Sequence, residues 1–490
     1  MLTARIPAEK SWTGQFRISR EGQVEPGFQA APKLGPWSLS LAPATRRQDV
    51  VDGSGRSIGH LIGTAIDYRG GRLVEGGFRL DWPSDRARRD EAIELGLYKL
   101  GGSWLCVLAA DGLERVYLDA DGTQSLVYDP AQEAAASSAG LLLDDAAYAA
   151  RFDAALYQAL DVPGEGWFPS GLTAHTGVHR LLCNHYLDLS SFQVHRHWPL
   201  GPFGHAGDVE AAALRVADIV RRSAEALLQR GKLAVALTGG NETRFLLAAY
   251  RPIIEQLTFV TVSAPSTQRD VELAKRLAQR FKLRHLILPL VEATPEAQLA
   301  WHYATGHCVS GPNMVSHPTI RPLVGQFDWF LGGLGGEIGR AFFWRPTDTA
   351  DTPMAAAELT PRFGMPAAGD VMDATERWME GVAGFDALTK LDLGYLELRM
   401  SAWSAAQTYA QSFVDHEHPL IAREVYALML DLPPEAKRGN LLIKSAIAQL
   451  WPELSEIPIN RYGDYRDTLE VMLKATDGKR VAKKLRKLFG

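Results

Sequence analysis

Short apolar runs punctuated by Gly, Pro and Asp fill the first 130 residues, a texture that predicts strands and turns. Ser103–Leu108, Glu114–Leu118 and Ser125–Tyr128 read as strands, with Asp111-Gly112 and Asp121-Gly122 as hairpin signals between them. The Ala/Ser-rich stretch 134–140 reads as a loop and 143–160 as a helix. Strands return at 186–189 and 192–198. Near residue 207 the pattern changes. Val209–Gln229 has helical periodicity, Leu233–Leu237 is a short buried strand, and 243–250 opens another helix. Leu257–Val262, His285–Pro289 and Phe327–Leu331 read as further strands, with a helix over 270–281. Strands alternating with helices predict a parallel sheet covered on both faces. Beyond about 370 the chain reads as mostly helical, and 345–370 as an irregular insertion or lid. The basic, amphipathic stretch 479–487 reads as a solvated terminal helix, or one that contacts an acidic partner or a membrane surface.

Composition narrows the classes. The chain has 490 residues, 46% hydrophobic and 22% charged, which excludes wholesale disorder and accommodates two large domains. The net charge of −5 calls for neither a nucleic-acid nor a membrane partner. Cys106, Cys183 and Cys308 are too few and too scattered for a disulfide framework or a cysteine-based zinc site. No apolar stretch reaches 18 residues, and the opening lacks a signal-like apolar run. The expectation is a soluble cytoplasmic protein.

The chemistry concentrates in Leu233-Ala-Val-Ala-Leu-Thr-Gly-Gly-Asn-Glu-Thr-Arg244. A buried strand runs into a hydroxyl, two glycines, a carboxylate and a second hydroxyl, then a helix. Gly239 and Gly240 permit positive φ and let backbone amides converge on an anion, and the helix start adds its positive end. A carboxylate there repels phosphate unless a cation lies between, so Glu242 points to Mg²⁺. The absence of Gly-Lys-Ser/Thr excludes a Walker A loop.

This segment resembles the Ser-Gly-Gly-x-Asp-Ser pyrophosphate loop of the asparagine synthetase-like ATP pyrophosphatases. Three more segments follow in that family's order. Gly333-Leu-Gly-Gly-Glu337 resembles the motif bearing the second magnesium carboxylate. Val414-Asp-His-Glu-His-Pro-Leu420 resembles the motif whose acid activates the incoming amine, and Lys444 to Arg461 the helix end that leads to a cation near the acyl-phosphate. In the first half, Val116–Gly122 with Leu126–Tyr128, and Leu172–Leu187, resemble the family's glutaminase-like domain. The resemblance implies an Ntn-hydrolase-like β-sandwich domain over 1–205 and a Rossmann-like ATP pyrophosphatase domain with a helical end over 206–490. It implies ATP at Leu237, Thr238, Gly239, Gly240, Asn241, Glu242, Thr243, Arg244 and Gly335. Mg²⁺ would lie at Glu242 and Glu337, with Asp415 as base and Lys444 and Arg461 on the developing charge.

Two departures shape the expected activity. Position 2 is Leu and the nearest cysteine is Cys106, so no amino-terminal thiol is available and glutamine hydrolysis is not expected. β-Lactam synthetases and lasso peptide cyclases likewise direct an amine at an adenylated carboxylate. Both family aspartates read as glutamate, which is compensatory if the metal has shifted, or else marks a pseudoenzyme. Arg340 either contacts phosphate or pairs with Glu337. The leading expectation is an ATP-dependent amide synthetase acting on a small-molecule or peptide carboxylate and an amine. The alternatives are a non-catalytic nucleotide-binding or interaction protein, and a sulfur-transferring adenylase using Cys308. Asp270 reads as a helix N-cap, and His175 and His179 as structural.

Overall fold

The computed structural model describes residues 6–20, 24–164, 166–309, 317–366, 369–410 and 414–468. The basic stretch 479–487 lies outside them. In the first half two sheets face each other. One runs in the order His179–Arg180, Val127–Asp129, Ala134–Ala136, Phe16–Ser19, Ser38–Leu41, Gln29–Ala30. The other runs Gln193–Arg196, His185–Asp188, Leu113–Leu118, Trp104–Ala110, Ser57–Gly63, Arg47–Val51, Phe78–Arg79. Strand alternation sends Phe16, Ile18 and Leu39 of the first sheet inward against Ile62, Leu105, Val107 and Val116 of the second. The outer face of the second sheet packs on helix Arg86–Leu97 through Ile93 and Leu97. Helix Ala139–Leu142 covers the first.

The Asp111-Gly112 hairpin forms as its residues dictate. Both take positive φ, 50° and 75°, and Ala110 pairs with Leu113 across the turn. Asp121-Gly122 makes no hairpin: Leu113–Leu118 and Val127–Asp129 belong to different sheets, and the turn carries the chain across the sandwich. The expected loop at 134–140 contains a buried strand, Ala134–Ala136, paired with Phe16–Ser19. Its small side chains let the covering helix approach closely, which an apolarity count of alanines understates. The expected helix over 143–160 divides into Asp145–Arg151 and Ala154–Ala159, broken where Phe152 bridges to His175 and Asp153 caps the second piece. In the expected insertion, helix Ala356–Arg362 is tied down by Arg362 on Asp348 at 2.7 Å.

The second half carries a five-stranded sheet in the order His285–Pro289, Thr258–Ser263, Leu233–Ala236, Trp329–Leu331, Asp415–Glu417, every pair parallel. The fifth strand escaped the sequence pattern, because Asp-His-Glu has no apolar alternation. Leu233, Val235 and Phe259 face helices Val209–Leu228, Asn241–Ala249, Gln268–Phe281 and Leu441–Leu450, while Ala234, Val260 and Leu288 face Ile320 and Leu323. From Leu233–Ala236 the chain adds two strands on one side, then returns to place Trp329–Leu331 on the other. The order therefore reverses between those two neighbours. At such a switch point the loops after the strands part and leave a crevice.

The halves share a core in which Ile66, Tyr68, Ala120 and Cys183 pack with residues such as Ile421, Ala422 and Tyr426. Glu397, fully buried, accepts two 2.7 Å bonds from Arg196, one of 2.7 Å from Trp378 and one of 2.8 Å from Asn184. Burial raises its pKa, but the Arg196 charge and hydrogen bonds, with His185 and Asn184, together outweigh that and hold it below the ordinary value. Among the described residues no helix is long and apolar enough to cross a membrane. Arg196→Met leaves Glu397 buried without its counter-charge and is expected to cost about 3–5 kcal/mol in chemical denaturation.

Candidate functional site

The glycine turn follows Leu233–Ala236 at the carboxyl edge of the sheet. Gly239 is required by close approach and not by positive φ, contrary to the sequence expectation. A Cβ there would stand 2.2 Å from Leu273 Cδ1, on helix Gln268–Phe281. Gly240 has φ −78° and begins helix Asn241–Ala249, which no side chain caps. The early amides of that helix, at Asn241, Glu242 and Thr243, are the donors such an end offers to an anion. The turn itself is already knitted. Gly240 N–H donates to Thr238 Oγ1 at 3.1 Å, and the Thr238 and Thr243 hydroxyls lie 2.9 Å apart. Asp270 is not the N-cap of its helix, a position that Thr267 holds; its Oδ1 accepts the Gly239 amide at 3.0 Å.

Two residues expected at the nucleotide serve the scaffold instead. Leu237 is fully buried, and its amide donates to the Val260 carbonyl. Arg244 is also fully buried. Its guanidinium donates to the carbonyls of Leu454 and Ile457 at 2.7 Å each, so it clamps the chain's return and has no reach to a phosphate. Burial, aided by Arg276, lowers its pKa to about 10. That clamp brings Asn460 onto the turn, where its amide donates to the Gly239 carbonyl at 2.8 Å. Arg461 follows and is exposed. Lys444 sits on the exposed side of helix Leu441–Leu450.

The second carboxylate lies opposite. The loop after Trp329–Leu331 wraps the Glu242 stem: a Cβ on Gly336 would stand 2.6 Å from Glu242 Cγ. Gly335, at φ 98°, lies under the Tyr426 hydroxyl, which a Cβ would meet at 2.8 Å. Arg340 joins the two acids, its Nε 2.6 Å from Glu242 Oε1 and its Nη2 3.7 Å from Glu337 Oε1. All three side chains are largely buried, at 16%, 16% and 23% exposure. Burial, then the Glu242 charge, raises the Glu337 pKa to about 7 against the pull of Arg340. Among the described residues no three His, Cys, Asp or Glu side chains gather to hold a metal by themselves.

Asp415 does not join this group. In register it pairs with Trp329, at the amino end of the neighbouring strand, and its carboxylate meets Arg46 of the sandwich at 2.5 Å. Glu417, two residues or roughly 7 Å further along the strand, is level with Leu331. It is buried, bonded to the Ser103 hydroxyl at 3.0 Å, and raised by burial to about 8. Cys308 is buried, and burial raises its thiol pKa, an environment unlike that of a reactive thiol. His175 is buried against Tyr148 and His179 is exposed, so the pair does not converge.

No model of a known protein family matches this chain, and no curated protein matches it.

Two outcomes follow from the geometry. Gly239→Ala, pressing on Leu273, is expected to cost about 1–3 kcal/mol. Combined with Leu273→Ala it should cost less than the two single losses together, measured by denaturation. Glu337 binds its proton more tightly folded than unfolded, so its contribution falls as pH rises from the ordinary 4.5 to about 7 and then levels off. Glu337→Gln should remove that slope from stability-versus-pH curves.

Proposed function

We propose that the chain is an ATP-dependent amide synthetase of the asparagine synthetase-like type, acting without glutamine hydrolysis. The observation that carries this reading is the convergence of Glu242, in the first turn of an uncapped helix, and Glu337, in the segment after the adjacent parallel strand, at the switch point. Both are hard oxygen donors of the kind Mg²⁺ takes together with phosphate oxygens. The ion would supply the charge that lets pyrophosphate leave. The amides of residues 241–243 would hold the phosphates, and Arg461, which follows the Asn460 bonded to the glycine turn, would meet charge developing at the α-phosphorus. Asp415 takes no part in this scheme, because it stands at the other end of its strand.

A second reading, a nucleotide-binding protein without turnover, has its own support. Arg340 stands where the cation would, and Asp270 occupies the Gly239 amide. In the synthetase both must give way to metal and nucleotide; in the binding protein they need not.

Pyrophosphate release from ATP and Mg²⁺ with a panel of carboxylates and peptides tests the activity. Glu242→Gln should cut it by about two orders of magnitude with little change in melting temperature. ATP-induced stabilisation without pyrophosphate from any carboxylate supports the binding protein, and no stabilisation at all defeats both readings.

A further inference from the structure

The turn after strand Leu113–Leu118 carries two aspartates with opposite surroundings. Asp119 is fully buried and saturated: the amides of Trp104, Asp121, Thr123 and Gln124 and the Thr123 hydroxyl all donate to it. Asp121 is equally buried, yet among the described residues neither of its oxygens has a hydrogen-bond partner of good geometry, and only the Ser404 hydroxyl is near enough to ease its charge. The Ser404 hydroxyl lies beside it but donates to the Ser401 carbonyl at 3.3 Å. Among the described residues, the charges that bear on Asp121 are Asp119 and Glu337, both acids.

A second group points the same way. The Tyr426 hydroxyl is fully buried and, among the described residues, unpartnered, and Asp121 acts on that phenol more strongly than Asp119 or Glu337 does. The elements are in close contact. A Cβ on Gly122 would stand 3.6 Å from Ser401 Cβ, and one on Gly335 2.8 Å from the Tyr426 oxygen. Thus the sandwich turn, helix Ser401–Ala410, helix Arg423–Leu430 and the Glu337 loop meet around one carboxylate that no cationic side chain among the described residues balances. Protonating Asp121 would remove the charge, but with Ser404 as its one near hydroxyl it would still leave an Asp121 oxygen and the Tyr426 hydroxyl unpaired, each costly.

We propose that Asp121, Tyr426 and Ser404 form a buried site for a small monovalent cation, potassium, sodium or ammonium, between the sandwich and Glu337. The donors are all oxygen, which selects a hard cation. One carboxylate with two neutral hydroxyls balances a single charge, whereas Mg²⁺ and Ca²⁺ seek more charge or fixed octahedral water. This site stands whether or not the crevice turns over ATP.

The test is the melting temperature of the full chain at constant ionic strength in potassium, sodium, ammonium or choline chloride. At least one small cation is expected to raise it saturably above choline, by mass action on the folded state. Asp121→Asn should abolish the difference, and Tyr426→Phe should weaken half-saturation by about tenfold. Identical melting in all four salts overturns the proposal. So does an Asp121→Asn protein that keeps the cation response or, should that variant not fold, a Tyr426→Phe protein with unchanged half-saturation.

Discussion

Two carboxylates cannot share a dry crevice without positive charge between them, and the switch-point site is built around that constraint. Glu242 arrives on a helix start and Glu337 on the loop after the next strand. The sheet order fixes both at one edge, so neither can retreat without unpicking the fold. Arg340 supplies the missing charge, and Glu337 remains easily protonated because one guanidinium does not offset both burial and its neighbour. The crevice is thus poised: what replaces Arg340 must bring at least as much positive charge.

Much of the surrounding structure serves to hold that edge. Arg244 is consumed in clamping 454–458, which lays Asn460 on the glycine turn. Leu273 presses on Gly239 from the next helix. The sandwich is wedded to the sheet domain by the shared core and the Arg196–Glu397 pair, and it delivers Arg46, Ser103 and Asp121 to the junction.

The parallel sheet was legible in the sequence because Leu233–Leu237, Leu257–Val262 and His285–Pro289 are apolar runs between helical periods. The Asp111-Gly112 hairpin was legible because those residues accept positive φ. The strand Ala134–Ala136 was hidden by its small side chains, and Asp415–Glu417 by being polar while buried. In the candidate site, the convergence of Glu242 and Glu337 was readable from their place after apolar strands. The role of Arg244 was not, since an arginine beside a phosphate loop looks the same whether it points at the ligand or at distant carbonyls. Asp415 misled because a motif gives residue order but not strand register, and register places it at the amino end. Asp121 looked like a turn former; its isolation depends on helices more than 280 residues later in the chain.

The central claim is that the Glu242–Arg340–Glu337 group is a nucleotide crevice. A crystal structure with a non-hydrolysable ATP analogue and Mg²⁺ tests it most directly. The account predicts phosphates on the amides of residues 241–243, a metal between the two glutamates, and Arg340 displaced from Glu242. A nucleotide bound elsewhere, or Arg340 still bridging the two acids with the analogue in place, would contradict it.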